Sequence, residues 1–167
     1  DALSILKDTD DAAAPEDLVT ERQLLKAKAL SVSGKDDEAK AILKNVSSEY
    51  ATRLQIDIAW HARDWAGAAA TLAELIGPPP SSEAMKPEIA QLIISRAIAL
   101  ALINDSAGLE KLRSDFTPAM KNMPQAELFK MLTEADTGLP RDPSAVKSLM
   151  ADVDLFQGYL ENYRNLN

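Results

Sequence analysis

The chain has 167 residues, of which 46% are hydrophobic and 26% charged, a balance that suits a folded interior and matches neither a disordered nor a membrane-like composition. Its 26 acidic and 18 basic side chains leave a formal charge of −8 and a pI near 4.7, so nucleic acid and anionic membrane surfaces are repelled at long range. Cysteine is absent, which excludes disulfides, thiolate nucleophiles and cysteine-ligated zinc and leaves the compartment open between cytoplasm and periplasm.

Aromatic residues are only 5% of the chain, alanine is common, and β-branched residues are scattered rather than gathered into alternating runs. Helical periodicity and punctuation divide the sequence into about nine helical segments, near 1–8, 16–33, 36–48, 50–62, 65–76, 83–104, 106–121, 124–136 and 143–164. Asp1 is not an initiator methionine and no basic-then-apolar leader precedes it, so the chain reads as the C-terminal part of a longer protein, with any address signal upstream.

The first segment carries Leu3 and Leu6 and resembles half of a hairpin whose other helix lies upstream, which leaves an incomplete interface able to self-associate. Asp8, Asp10 and Asp11 follow it; they lack the glycine turn and closing glutamate of a calcium loop and read as a solvated linker. Gly34 offers a left-handed stop after the second segment. Asp36, Asp37 and Glu38 open the third, where negative charge is favoured beside free amides.

The segment at 50–62 holds the one constellation above background. Tyr50, Arg53, Asp57, Trp60 and His61 are spaced to share a face, and Ala51, Leu54, Ile58, Ala62 and Trp65 supply an apolar stripe opposite. Tyrosine, tryptophan and arginine are the residues that most often anchor interfaces, which makes these five the candidate partner-binding set. The plainer alternative is that Trp60 packs on a neighbouring hairpin and Arg53 pairs with Asp57 one turn away. His61 is the only histidine, so no metal site can be assembled around it from further His or Cys ligands.

Gly77 followed by Pro78, Pro79 and Pro80 cannot continue the fifth segment, and Gly77 to Pro87 reads as a surface loop inserted between two hairpins. The next segment is apolar on most sides, through Ile89, Leu92, Ile93, Ile94, Ile98 and Leu100, which marks a helix buried between neighbours. Its apolar run from Ala97 to Ile103 is far shorter than the roughly 20 residues that span a bilayer. Asp142 before Pro143 starts the last segment, where Val146, Leu149, Val153, Phe156, Leu160 and Tyr163 form a narrow stripe suited to capping the array.

Self-similarity organises these segments. The stretch from Gly34-Lys35-Asp36 through Ala39 to Leu43 resembles the hairpin turn and second-helix start of a tetratricopeptide repeat. Arg63-Asp64-Trp65-Ala66-Gly67-Ala68 with Leu72 is similar to a second copy, and Asn104-Asp105-Ser106-Ala107-Gly108-Leu109 to a third. The intervals are uneven: 37 residues from Ala2 to Ala39, 29 from Ala39 to Ala68 and 41 from Ala68 to Leu109, against about 34 in a regular unit. Lys26 and Gln55 also fall where the family usually places an apolar residue.

The chain therefore resembles a degenerate tetratricopeptide-like α-solenoid over 1–121, with 122–167 as C-terminal helices of the same domain. That resemblance implies an all-α superhelix of stacked hairpins whose first helices line a groove, the 50–62 face among them. It also implies a non-catalytic scaffold for a protein or peptide partner, with no cofactor. The six glycines are isolated, so no phosphate-cradling loop exists, and with 26 carboxylates no acid–base pair stands out. The competing expectations are an accessory helical domain of an enzyme or export and assembly machine whose active part lies upstream, and an end-cap that binds nothing.

Overall fold

The computed structural model describes residues 16–134. Among them are seven helices and no strand: α1 (Glu16–Val32), α2 (Asp36–Leu43), α3 (Glu49–His61), α4 (Trp65–Ile76), α5 (Pro87–Leu102), α6 (Ser106–Met120) and α7 (Ala126–Thr133). The helical segments expected at 1–8 and 143–164, with the apolar stripe of the latter, lie outside the described residues. Seven expected segments thus correspond to seven helices in the same order.

Two boundaries differ from the expectation by four residues or more, each for a backbone reason. The helix expected over 36–48 ends at Leu43, because Ser48 is extended (φ −147°, ψ 152°) to cap the next helix, where its hydroxyl accepts from the Ala51 amide at 3.1 Å. The helix expected from 83 begins at Pro87, since proline drives the preceding residue out of the helical region; Lys86 is extended (φ −99°, ψ 146°) and Pro87 occupies the first turn.

The chain divides between Leu75 and Ile76 into two compact units. That border falls just ahead of the proline triplet. In the first unit α1, α2 and α3 pack together around Ala27, Leu30, Ala39, Leu43, Val46, Ala51 and Ile58, with Leu24, Ile42 and Leu54 at the edge. Ala27, Ala39 and Ala51 are fully enclosed; a methyl side chain at these positions lets the helix backbones approach closely. In the second unit α6 and α7 both pack on α5, whose Ala90, Leu92, Ile93, Ile94, Ala97, Ile98, Ala99 and Leu100 are buried. Ser95, buried among them, satisfies its hydroxyl on the Gln91 carbonyl at 3.1 Å.

The three turns read as repeats in the sequence share one hydrogen-bond pattern. The residue that leaves the helix is left-handed in each case: Gly34 (φ 74°), Arg63 (φ 56°) and Asn104 (φ 56°). Its amide donates three residues back, to the carbonyls of Ser31, Trp60 and Ala101 at 2.9, 3.1 and 3.0 Å. The next amide donates five residues back, from Lys35 to Leu30 at 2.9 Å, Asp64 to Ala59 at 2.8 Å and Asp105 to Leu100 at 2.9 Å. Each is the paired-bond motif that satisfies the last carbonyls of a helix and reverses the chain.

The second and third turns share a further device. Asp64 and Asp105 fold their carboxylates back to accept from the Gly67 and Gly108 amides, both at 2.9 Å. A Cβ at either glycine would collide with that carboxylate, and at Gly108 also with Leu100. The glycines are there to admit the cap.

Candidate functional site

The five candidate residues all lie on α3, which is held from beneath by Ala51, Ile56, Ile58 and Ala59. Ala51, Leu54 and Ile58 behave as the sequence anticipates, the first and last in the core and Leu54 against it. Ala62 is exposed rather than part of the apolar stripe, while Ile56 and Ala59, which the stripe omitted, are buried.

Tyr50 stands half exposed, at 50%. Arg53 turns towards the helix start rather than to Asp57: its Nη2 and Nε lie 2.7 and 3.1 Å from Glu49 Oε1. An acidic residue four positions before a basic one is the favourable order on a helix, so Glu49 takes Arg53 and leaves Asp57 to other company. His61 Nδ1 donates to the Asp57 carbonyl at 2.9 Å and lies 3.4 Å from its Oδ1.

Partial burial pushes the Asp57 carboxyl above the ordinary aspartate range, with His61 and Lys28 of α1 pulling the other way. Lys28 could not have been assigned to this site from the sequence, because it arrives from a different helix. Trp60 meets Trp65, the first residue of α4, edge to face at 5.2 Å between centroids and 78° between planes. Trp65, set on the opposite stripe by sequence spacing, instead joins Trp60 across the turn.

Beside this face, Lys40 of α2 reaches the turn before α4 and bonds Asp64 Oδ2 at 2.6 Å. The Lys40 ammonium and the Gly67 amide hold Asp64 below the ordinary aspartate range, so Asp57 and Asp64 are displaced in opposite directions. An open depression of about 310 Å³ lies elsewhere in the unit, between α1 and α2, lined by Gln23, Lys26, Ala41, Ile42 and Asn45; none of the five candidate residues contributes to it.

In the second unit, burial lowers the Arg96 guanidinium below its ordinary value while Asp115 and Asp105 oppose the shift, and its Nε is enclosed without a hydrogen-bond partner. Among the described residues no group of three or more His, Asp or Glu side chains is placed to hold a metal ion. No described helix is long and apolar enough to cross a membrane.

Comparison with known proteins finds no matching family model, no similar curated protein and no similar solved structure.

Proposed function

We propose that this chain is a non-catalytic interaction scaffold, built as a tetratricopeptide-like array of helical hairpins, and that the Tyr50, Arg53, Asp57, Trp60 and His61 face of α3 receives a protein or peptide segment. The observation that carries the site is Asp57. Its carboxyl is partly buried on the helix that also carries exposed Tyr50, and burial holds it above the ordinary aspartate range against the opposing pull of His61 and Lys28, so a further donor from a partner would favour its ionised form.

The like turns at Gly34, Arg63 and Asn104 are a helix-ending motif common to helical proteins in general, and they are compatible with successive hairpins. On that reading the array has about nine helices, those at the two ends of the chain included, and 122–167 closes it. A scaffold of this kind works by presenting first helices to a ligand, which is why α3 rather than α4 carries the anchor residues.

A photo-crosslinking residue at Tyr50, with one at exposed Glu74 on α4 as the control, tests the site in cell extract. The reading expects one protein joined at position 50 and not at 74, and its affinity for the purified chain to fall at least about tenfold in the Arg53→Glu, Trp60→Ala double variant, as for loss of anchor residues. Equal labelling from both positions, or unchanged affinity in a folded double variant, removes α3 from consideration.

A further inference from the structure

The depression between α1 and α2 is separate from the α3 face. Its apolar lining comes from Ala41 and Ile42 of α2, while Gln23 and Lys26 of α1 and Asn45, just past α2, bring two amides and an ammonium to it. Ile42 rests on the core yet is only partly buried, and Lys26, Ala41 and Asn45 are exposed. Among the described residues nothing pairs with the Lys26 ammonium or with the side-chain amides of Gln23 and Asn45. A volume of about 310 Å³ is at the small end of ligand sites, and this one is open where those enclose their ligand. It has the form to take one large side chain of a segment laid across it.

We propose that this depression docks a partner's peptide segment that carries a large apolar side chain beside a carboxylate. The apolar lining calls for the first feature and the local charge for the second. Lys26 lines the depression, and exposed Lys44, still in helical conformation, stands one turn beyond Lys40 and next to Asn45. The acids of the two helices are mostly turned away or engaged. At about 100° per residue, Asp17 and Glu21 stand at least about 120° round α1 from both Gln23 and Lys26, and Glu16 lies two turns before Gln23. On α2, Asp36 accepts from the Ser31 hydroxyl at 3.0 Å and Glu38 pairs with Lys35 at 3.1 Å, which leaves Asp37, one turn before Ala41, against the two lysines. In a chain of charge −8 this is a locally basic rim around an apolar lining, and an acidic segment with an apolar anchor is its complement.

Phage display of random peptides on the full chain tests the assignment. Three variants accompany it: Ala41→Phe, which fills the depression from an exposed position, Lys26→Glu, which reverses its charge, and the Arg53→Glu, Trp60→Ala double variant, which leaves it untouched; circular dichroism checks that each keeps its helix content. Selected peptides should carry a large apolar residue next to aspartate or glutamate. They should bind Ala41→Phe and Lys26→Glu at least about tenfold more weakly than the unaltered chain, and the double variant equally well. Failure to select any peptide, selection of basic peptides, or acidic peptides whose affinity survives either single substitution overturns the proposal. Peptides lost only in the double variant belong to α3 and overturn it too.

Discussion

Helices α1 and α5, the first with six charged residues and the second with two, end in different surroundings. Both are apolar on more than one side, yet α5 buries nine of its residues beneath α6 and α7 while α1 leaves Leu18, Leu25 and Val32 in the open. Periodicity in a helix states how many sides need cover; it does not state what provides it. The second unit supplies that cover from its own following helices. The first unit, whose α1 faces α2 and α3 on one side only, is where uncovered apolar surface, displaced carboxylates and the candidate partner face all occur.

The largest test of that contrast is truncation at matched positions. Ile93 is fully enclosed on α5, so Ile93→Ala should destabilise its unit by about 2–5 kcal/mol through lost burial and the cavity left behind. Leu25 is half exposed on α1, so Leu25→Ala should stay within about 0.5 kcal/mol. Urea unfolding followed by circular dichroism reads the first. Tryptophan fluorescence reads the second, because Trp60 and Trp65 both belong to the first unit. Equal losses at the two positions would erase the distinction between the units.

What could be read without coordinates follows from the same contrast. The helix breaks at Gly34 and at Gly77 to Pro80 are local chemistry, and they place the ends of α1 and α4. The left-handed backbone at Asn104 had a faint local signal, since asparagine tolerates that region, but Arg63 had none: the Asp64 cap and the two turn bonds hold it there. At the candidate site, the shared face of α3 is a matter of spacing and was legible. Its partnerships were not, because Lys28 to Asp57, Lys40 to Asp64 and Trp60 to Trp65 join different helices or cross a turn.

A finer comparison sets the two capped turns against each other. Alanine is the better helix former by up to about 1 kcal/mol, so a glycine in a first turn is normally a place to gain stability. Here the new methyl must displace the capping carboxylate, which removes about 1 kcal/mol of cap and cancels the gain. Gly67→Ala should therefore be near neutral, whereas Gly108→Ala, which also presses on Leu100, should be destabilising by about 1 kcal/mol or more. Thermal melts of the two variants decide it, and a stabilised Gly108→Ala would show that the cap at Asp105 contributes nothing.

The smallest effects separate the units by pH. Arg96 in the second unit stays charged across the accessible range despite its burial, so it adds no acid dependence there. In the first unit Asp64 and Asp57 act in opposite senses. Asp64 is held below its unfolded value of about 3.9, so its contribution is complete above that pH and is lost as the pH falls through the folded value. With its side chain 41% exposed, the pair with Lys40 is screened and amounts to less than about 1 kcal/mol.

Asp57 lies above its unfolded value, so ionising it in the folded chain opposes stability above the folded value, and this penalty vanishes below about pH 3.9. Asp57→Asn should then be neutral or stabilising at pH 7 and flatten the decline of stability on the alkaline side of pH 4. Asp64→Asn, which can still cap Gly67 through its amide oxygen, should flatten the decline on the acid side instead. Urea midpoints followed by tryptophan fluorescence between pH 3 and 7 distinguish the two. If Asp57→Asn lowers stability at neutral pH, the carboxylate is a structural member of its helix pair. If stability holds while affinity for the partner captured at position 50 falls, the Asp57 carboxylate belongs to the interface.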